Sequence, residues 1–199
     1  MTTVIGLTGS IATGKSTVSN MFKDLNIPVI DADQLSRDVV KPGEPAYQKI
    51  VEAFGSRVLQ NDGTLDRKKL GSIVFSDGEK RKELNGIVHP EVRKEMIRRR
   101  DHFVDEKYPA VVLDIPLLYE SELTHYVERV LVVYVDEATQ LERLTNRDQS
   151  TEEEAMQRIK SQIPISEKAD RADAVIDNRG TIEESLQQLR DILHEWEVV

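Results

Sequence analysis

The chain has 199 residues, of which 27 are Lys or Arg and 36 are Asp or Glu, so its formal net charge at pH 7 is −9. This length suits one domain, or one domain carrying a sub-domain, with a sizeable buried core. Apolar residues make up 39% and charged residues 32%, which is typical of soluble globular proteins and argues against a mainly disordered chain.

The absence of Cys excludes thiol catalysis, zinc–thiolate sites and disulfides. The N-terminal segment lacks a basic start, and no uncharged apolar run reaches about 18 residues, so we expect a cytoplasmic protein with no membrane partner. An acidic total argues against a nucleic-acid partner. Residues 67–107 nevertheless carry 12 basic and 8 acidic residues, which suits a small polyanion or, more simply, a solvated helix face.

Apolar β-branched runs alternate with helical stretches, which indicates an α/β protein with a largely parallel sheet. The predicted strands are residues 3–7, 29–30, 110–113, 130–135 and 174–176. The gap from about residue 35 to residue 107 is too long for a simple crossover and predicts an inserted helical sub-domain, in which Pro90 is one of several breaks.

Two capping boxes mark helix starts in the last third of the chain. Ser150 and Glu153 precede a helix that runs to about residue 161, so a break separates it from a helix that begins near Glu137. Thr181 and Glu184 precede the last helix, whose apolar residues recur at spacings of three and four and share one face: Ile182, Leu186, Leu189, Leu193 and Trp196.

The segment GSIATGKST, residues 9–17, fits the pattern G-x-x-x-x-G-K-[ST] between a predicted strand and a predicted helix. Several backbone N–H groups must converge on phosphate oxygens, which requires Gly9 and Gly14 where a Cβ would obstruct the backbone. Lys15 reaches the β and γ phosphates, and Ser16 offers its hydroxyl to Mg²⁺. The motif predicts binding of a nucleoside triphosphate; the alternative is a structural glycine-rich turn.

Two carboxylates follow the second predicted strand. In an extended chain Asp31 and Asp33 point to the same side, at the carboxyl end of a strand where open α/β sheets place their ligands. An aspartate there could accept the proton of an attacking hydroxyl. Alternatively, Asp33 caps a helix that begins at Gln34.

Arg143 and Arg147 are four residues apart, on one helix face immediately before the predicted break. Arginines on a mobile flap suit phosphoryl transfer, although a pair of solvated surface arginines has the same pattern. Asp114 ends a buried strand and either holds a Mg²⁺ water or bonds to backbone near Pro116. The turn at residues 175–180 could face an adenine, as could any turn of this composition.

In this order, the motifs resemble those of the dephospho-CoA kinase family of P-loop kinases. The stretches that carry the resemblance cover most of the chain: GLTGSIATGKST, VIDADQLSRDVVKPGEPAY, DGTLDRKKLGSIVF, LNGIVHPEV, VVLDIPLLYE, QLERLTNRD, RIKSQIP and ADAVIDN. The resemblance implies one three-layer P-loop kinase domain over residues 1–199, with a helical acceptor-binding insertion at about 35–107 and a helical lid at about 140–165. It also implies transfer of the γ-phosphate of ATP, with Mg²⁺, to the ribose 3′-hydroxyl of dephospho-CoA.

The resemblance also implies residue roles. Asp33 is the expected general base, and Lys15 and Arg143 are expected to neutralise the transferring phosphoryl group, with Arg147 as a less certain helper. The expected ATP-binding residues are Gly9, Ala12, Thr13, Gly14, Lys15, Ser16 and Thr17, together with Asn178 and Arg179 at the adenine. The expected acceptor-binding residues are Asp66, Arg67, His89, Pro90, Leu118 and Tyr119. We expect a monomer or a weak homo-oligomer.

Three other functions share parts of this pattern. Another small P-loop kinase, acting on a nucleotide monophosphate or a small-molecule hydroxyl, would use the same loop, flap and base. A GTPase-type switch would show an N-K-x-D motif, which is absent from the sequence. A binding-only ATP sensor would need neither the aspartate nor the paired arginines.

Overall fold

The structure is a computed structural model that describes residues 2–198. Five strands form one sheet in the order β2-β3-β1-β4-β5. Their bounds are β1 (Thr3–Gly9), β2 (Val29–Asp31), β3 (Ala110–Asp114), β4 (Arg129–Tyr134) and β5 (Ala174–Asp177). The pairs β1–β3, β1–β4 and β4–β5 are parallel, which confirms the predicted α/β class and all five predicted strands.

The two strands beside each other at the centre of the sheet, β1 and β3, are almost entirely buried. Burial on both faces explains why they read as continuous apolar runs rather than as alternating patterns. Strand β1 pairs with β3 so that Leu7 lies opposite Asp114. The carboxyl ends of these strands therefore meet at one edge of the sheet, which is where ligands bind in open α/β folds.

Nine helices of four or more residues lie within residues 2–198. They are α1 (Lys15–Asp24), α2 (Ala32–Asp38), α3 (Pro45–Phe54), α4 (Arg67–Ser76), α5 (Gly78–Asp105), α6 (Glu137–Asp148), α7 (Glu152–Lys160), α8 (Ile165–Asp170) and α9 (Ile182–Glu195), with short 3₁₀ helices at Ser56–Val58 and Thr124–Tyr126. Across these described residues, no helix is long and apolar enough to cross a membrane.

The last helix, α9, confirms its predicted start. The Thr181 hydroxyl accepts from the Glu184 N–H, and the Glu184 carboxylate accepts from the Thr181 N–H. Leu189 and Leu193 are fully buried in the core against the sheet. Ile182, the first residue of the predicted apolar face, is instead 63% exposed, because it stands at the first position of the helix.

Two other boundaries differ from the sequence-based expectation. The capping box of α7 is Thr151 with Glu154, one residue later than predicted, because Gln149 ends α6 in a left-handed conformation. Pro90 does not break its helix, because it lies inside α5, which is 28 residues long in total. A proline inside a helix removes one hydrogen bond and its ring crowds the preceding turn, but α5 is long enough to be held on both sides of Pro90.

The chain divides into two compact units, each with its own apolar core. The first, the nucleotide unit, is residues 1–30 with 100–199 and contains most of the sheet. The second, the helical unit, is residues 31–99 and packs its core around Ile50, Phe54 and Val58. The helical unit overlaps the insertion expected at about 35–107.

Candidate active site

The predicted phosphate-binding loop connects β1 to α1 in the nucleotide unit. Ala12 and Gly14 both adopt left-handed backbone conformations, with φ of 61° and 85°. Gly14 is the N-cap of α1, no side chain caps the helix, and its first turn contains no acidic residue. The first N–H groups of a helix have no intrahelical acceptor, so this end of α1 offers donors and positive potential to an anion.

Both glycines of the motif are required by close approaches. A Cβ on Gly9 would lie 2.7 Å from the Thr13 hydroxyl oxygen and 3.0 Å from the Val133 carbonyl oxygen. A Cβ on Gly14 would overlap the side-chain amide nitrogen of Asn178. The motif predicts glycines that leave room for phosphate. In the structure these glycines also leave room for the protein's own atoms, those of Thr13 and Val133 at Gly9 and of Asn178 at Gly14.

Side chains from distant parts of the chain hold the loop by its backbone. The Ile11 N–H donates to the Gln162 side-chain oxygen (2.9 Å), and the Gln140 side chain donates to the Ile11 carbonyl (2.8 Å). The Asn178 side chain donates to the Thr13 carbonyl (2.8 Å) and accepts from the Ser185 hydroxyl (2.8 Å). Because the three bonds made to the loop itself join residues far apart in sequence, the loop conformation depends on the folded unit.

Lys15 forms an ion pair with Asp114, which is 3% exposed at the end of β3. The sequence left open whether Asp114 bonds to a Mg²⁺ water or to backbone at Pro116. The structure gives the carboxylate a third role, since it holds the Lys15 ammonium at the edge of the sheet. Separately, the Pro116 carbonyl accepts from the Thr8 hydroxyl (3.1 Å). The two roles considered for Asp114, holding a Mg²⁺ water and bonding to backbone near Pro116, stay predictions.

The two arginines of α6 have different partners. Arg143 donates to the Asn178 carbonyl (2.9 Å), and its guanidinium lies 3.9 Å from the position that a Cβ on Gly14 would take. Arg147 is exposed and donates twice to the Asp148 carboxylate (2.7 and 3.1 Å), which raises the pKa of Arg147 and lowers that of Asp148. The structure therefore brings Arg143, but not Arg147, to the phosphate-binding loop.

Asn178 and Arg179, both predicted to lie at the adenine, differ in burial and in their hydrogen-bond partners. Asn178 is buried, and its side chain binds the loop as described above. Arg179 is exposed and donates to the Asp177 carboxylate (2.5 and 2.9 Å), and this pairing raises its pKa. Of the two side chains, that of Asn178 is committed to supporting the loop, and that of Arg179 faces solvent.

Asp31, the last residue of β2, and Asp33 are not arranged as an extended chain would place them. Asp31 is the N-cap of α2, and its carboxylate accepts from the Gln34 N–H (3.0 Å). Asp33 lies in the first turn of that helix and is exposed. The capping role proposed as an alternative for Asp33 is wrong, because the residue two positions earlier performs it.

The residues of the helical unit that are predicted to bind the acceptor fall into two groups, one lining a cavity and one exposed on α5. Asp66 is the N-cap of α4 and accepts from the Lys68 and Lys69 N–H groups (3.1 and 3.0 Å), and the Lys69 N–H is the main cause of its lowered pKa. Asp66 and Arg67 line a cavity of about 570 Å³. Three more basic residues line the same cavity: Arg37, Lys41 and Lys68. His89 and Pro90 are exposed on α5.

Leu118 and Tyr119, the other two predicted acceptor-binding residues, have buried side chains. Leu118 is fully buried against Gly6 of β1. Tyr119 is 5% exposed, its ring lies 4.3 Å from the Arg171 guanidinium, and burial raises the pKa of its hydroxyl. Their contact with the acceptor stays a prediction, and in this structure both side chains pack in the nucleotide unit.

Gln140 was missed as a loop-holding residue, although a signal was present. It shares the buried face of α6 with Leu144, four residues later. A polar residue on an apolar helix face must satisfy its hydrogen bonds inside the protein. Lys168 was missed as well, and the sequence offered no comparable signal for it.

Comparisons with known proteins agree with this geometry. The family model described as "Dephospho-CoA kinase" matches residues 3–184. The chain is 61% identical over 199 residues to a dephospho-CoA kinase from Bacillus cereus, covering 100% of both chains. It is 56% identical over 198 residues to one from Oceanobacillus iheyensis, again covering 100% of both.

A solved structure, titled as a dephospho-CoA kinase from Campylobacter jejuni, is 30% identical and superposes with a TM-score of 0.76, covering 98% of each chain. A family match over most of the chain, full-length relatives and a shared P-loop kinase fold all agree. The chain belongs to the dephospho-CoA kinase family.

Proposed function

We propose a mechanism in which this chain transfers the γ-phosphoryl group of ATP to the ribose 3′-hydroxyl of dephospho-CoA by in-line displacement, with Asp33 as the general base. The family supplies the reaction: dephospho-CoA is phosphorylated to CoA, with ATP as the phosphate donor. One bond forms between the 3′-oxygen and the γ-phosphorus, and the bond to the β-phosphate oxygen breaks. The hydroxyl proton passes to a carboxylate, and ADP leaves.

The observation that carries the proposal is the uncapped N-terminus of α1, with Lys15 and Arg143 beside it. The backbone N–H groups of residues 12–17 bind the phosphates, and Gly9 lets the loop close on itself. Lys15 exchanges its contact with Asp114 for the phosphate oxygens. Arg143 already lies beside Gly14 and neutralises the charge that spreads over the transferring group.

Arg147 is a weaker candidate for the same role, because its guanidinium is paired with Asp148. The adenine is proposed to contact the exposed Arg179 side chain and the backbone at Asn178, because the Asn178 side chain is bonded to the loop.

Ser16 fits the predicted magnesium site. Its side chain is exposed at the first turn of α1, and a hydroxyl oxygen is a hard ligand of the kind that Mg²⁺ prefers. Within residues 2–198, no cluster of three or more acidic or His side chains could hold a metal, which suits an ion held mainly by phosphates, water and one hydroxyl. When bound, Mg²⁺ neutralises charge on the β and γ phosphates.

Asp33 is proposed as the base because its carboxylate is exposed and is not used as a helix cap. Ser36 donates to the Asp33 backbone carbonyl (2.8 Å), not to its carboxylate. A positioned carboxylate that accepts the hydroxyl proton contributes about 10²- to 10⁴-fold in rate.

The cavity beside Asp66 and Arg67 is proposed to bind the anionic part of the acceptor. Its four basic side chains can receive a diphosphate, and the Asp66 carboxylate caps α4 and so orients the Arg67 backbone at the cavity wall. His89 and Pro90 remain proposed acceptor contacts on their exposed part of α5. We further propose a cytoplasmic protein, active as a monomer or weak homo-oligomer, with no nucleic-acid partner.

The test is to incubate the purified chain with ATP, Mg²⁺ and dephospho-CoA and to detect the product by mass spectrometry. We expect a gain of one phosphate, located at the ribose 3′ position by phosphorus NMR, and no comparable gain on AMP. A preference for AMP, or for a small hydroxy acid, would select the other small P-loop kinases. A preference for GTP as donor would favour the GTPase-type alternative, and ATP binding without transfer to any acceptor would favour the sensor.

A further inference from the structure

Lys168 is a fully buried lysine in the nucleotide unit, on the short helix α8. Its side chain is 0% exposed. Lysine is almost never fully buried unless it is paired, because removing an ammonium from water is costly. A buried ammonium therefore needs hydrogen-bond acceptors or a carboxylate beside it, and the identity of these groups indicates the role of the lysine.

The Lys168 ammonium has three acceptors. It donates to the Gly9 carbonyl (2.9 Å) and to the Pro116 carbonyl (3.4 Å), and it forms an ion pair with the Glu120 carboxylate (2.7 Å). Two of these contacts are hydrogen bonds and the third is an ion pair, so the buried charge is both hydrogen-bonded and paired.

Each acceptor belongs to a different part of the phosphate site. Gly9 is the last residue of β1 and the first residue of the phosphate-binding loop. Pro116 lies two residues after Asp114, the partner of Lys15. The same Glu120 oxygen also accepts from the Ile163 N–H (3.1 Å), between α7 and α8. One ammonium thus joins the ends of β1 and β3 and, through Glu120, the last residues of the predicted lid.

We propose that Lys168 is a positioning residue for phosphoryl transfer, which fixes the separation of the Gly9 and Pro116 carbonyls. The separation of these two strand ends sets where the loop amides lie relative to Lys15 and Asp114. Lys168 does not touch the nucleotide. Its effect reaches the reaction through the loop, and a misplacement of about 1 Å in a reacting group can cost about 100-fold in rate.

The first variant is Lys168→Met, which keeps much of the side-chain length and removes the donors. We expect kcat/KM for ATP to fall about 100-fold, while KM for dephospho-CoA stays near the wild-type value. We also expect Tm to fall by about 10 °C, because a largely buried carboxylate loses its partner. The matched control is Lys23→Met. Lys23 is an exposed lysine on α1, and its substitution should change neither kcat/KM for ATP nor Tm.

A double variant, Lys168→Met with Glu120→Met, separates positioning from stability. Replacing both members of a buried ion pair by apolar residues is often neutral for stability, so most of the lost Tm should return. The loss in kcat/KM for ATP should remain, because the Gly9 and Pro116 carbonyls still lack their common donor. If activity returns together with Tm, or if Lys168→Met alone keeps full activity, Lys168 is only a structural residue and the proposal fails.

The inference rests on the proposed function in one respect, that the loop binds ATP. Binding of ATP and of ADP is therefore measured directly by calorimetry, in addition to turnover. A wild-type chain that binds ATP but does not phosphorylate dephospho-CoA would contradict the proposed function, while the effect of Lys168→Met on ATP affinity would still test the positioning role.

Discussion

The nucleotide unit and the helical unit use their polar side chains in different ways. In the nucleotide unit, Gln140, Asn178 and Lys168 are buried and bond to the backbone of the phosphate-binding loop. In the helical unit, several charged pairs lie largely in solvent, as between Lys82 and Glu79 or between Lys80 and Glu83. Buried hydrogen bonds fix a conformation, whereas exposed ion pairs contribute little to stability.

This difference predicts that substitutions of buried polar residues in the nucleotide unit change both stability and catalysis. In the helical unit, most substitutions of polar residues should change neither by much. One exception is the set of residues proposed to bind the acceptor. The other is Asp33, which is an exposed residue of the helical unit and the proposed base. The following predictions test this contrast, beginning with Asp33.

Asp33→Asn should lower kcat about 10³-fold, since an amide cannot accept the hydroxyl proton. Tm should stay within about 2 °C of the wild type, because the carboxylate is exposed and does not cap α2. The control is Asp31→Asn, in which asparagine preserves the N-cap and turnover should be retained. Near-full turnover by Asp33→Asn would contradict the base assignment, and a larger loss in Asp31→Asn would transfer it to Asp31.

Arg143→Ala should lower kcat about 10²-fold, because it removes a cation placed beside the phosphate-binding loop. Arg147→Ala should cause a clearly smaller loss, since that guanidinium is bound to Asp148 and faces solvent. Steady-state kinetics with varied ATP distinguish the two effects. A loss for Arg143→Ala that is confined to ATP affinity, with kcat intact, would exclude stabilisation of the transition state.

Gly14→Ala and Gly63→Ala form a matched pair, one in each unit. Both glycines have positive φ (85° and 81°), so alanine costs about 1 to 2 kcal/mol of backbone strain at either position. A Cβ on Gly63 would have no atom of residues 2–198 within 4 Å beyond its own chain neighbours, whereas a Cβ on Gly14 would overlap Asn178.

We therefore expect Gly63→Ala to lose only the strain energy and to bind ATP normally. Gly14→Ala should lose more stability and at least about tenfold in ATP affinity, since the clash displaces the side chain that holds the Thr13 carbonyl. Urea denaturation and calorimetry measure the two quantities. Equal losses of stability in the two variants would mean that the loop can move away from Asn178 at no cost.

The fold and the phosphate-binding loop were predictable because their signals are local. Buried strands appear as apolar runs, and the loop is a nine-residue pattern between a strand and a helix. The capping box at Thr181 is local as well, and it was confirmed. The box at Ser150 was wrong by one residue, because Ser and Thr are adjacent there and the sequence does not show where the left-handed residue ends α6.

The supports of the loop were not predictable, because they form between residues far apart in sequence. Lys168 and Gly9 are 159 residues apart, and Gln140 and Ile11 are 129 apart. Nothing in the sequence around Lys168 distinguishes a buried lysine from an exposed one. Likewise, the i,i+4 spacing of Arg143 and Arg147 does not show that only one of them turns towards the loop.

The smallest expected effect belongs to Glu95, in the helical unit, whose carboxylate accepts from Arg98 and Arg99 (each 2.7 Å). Hydrogen bonding to Arg98 is the main reason that the pKa of Glu95 falls from 4.5 to about 2. Because the pKa is lower in the folded state, the pair stabilises the protein above about pH 4.5, and this contribution is lost as the pH falls through about 2.

Both arginines are exposed to solvent, so screening reduces the contribution and Glu95→Gln should cost at most about 1 kcal/mol at pH 7. The difference in urea midpoint between variant and wild type should shrink between pH 5 and pH 3, and also in about 1 M salt, where the screening length is about 3 Å. A difference that persists in high salt would show that this pair acts like the buried pairs of the nucleotide unit, and one that grows on acidification would contradict the lowered pKa of Glu95. In the first case, the contrast between the two units would lie in their position in the fold and not in the exposure of their charges.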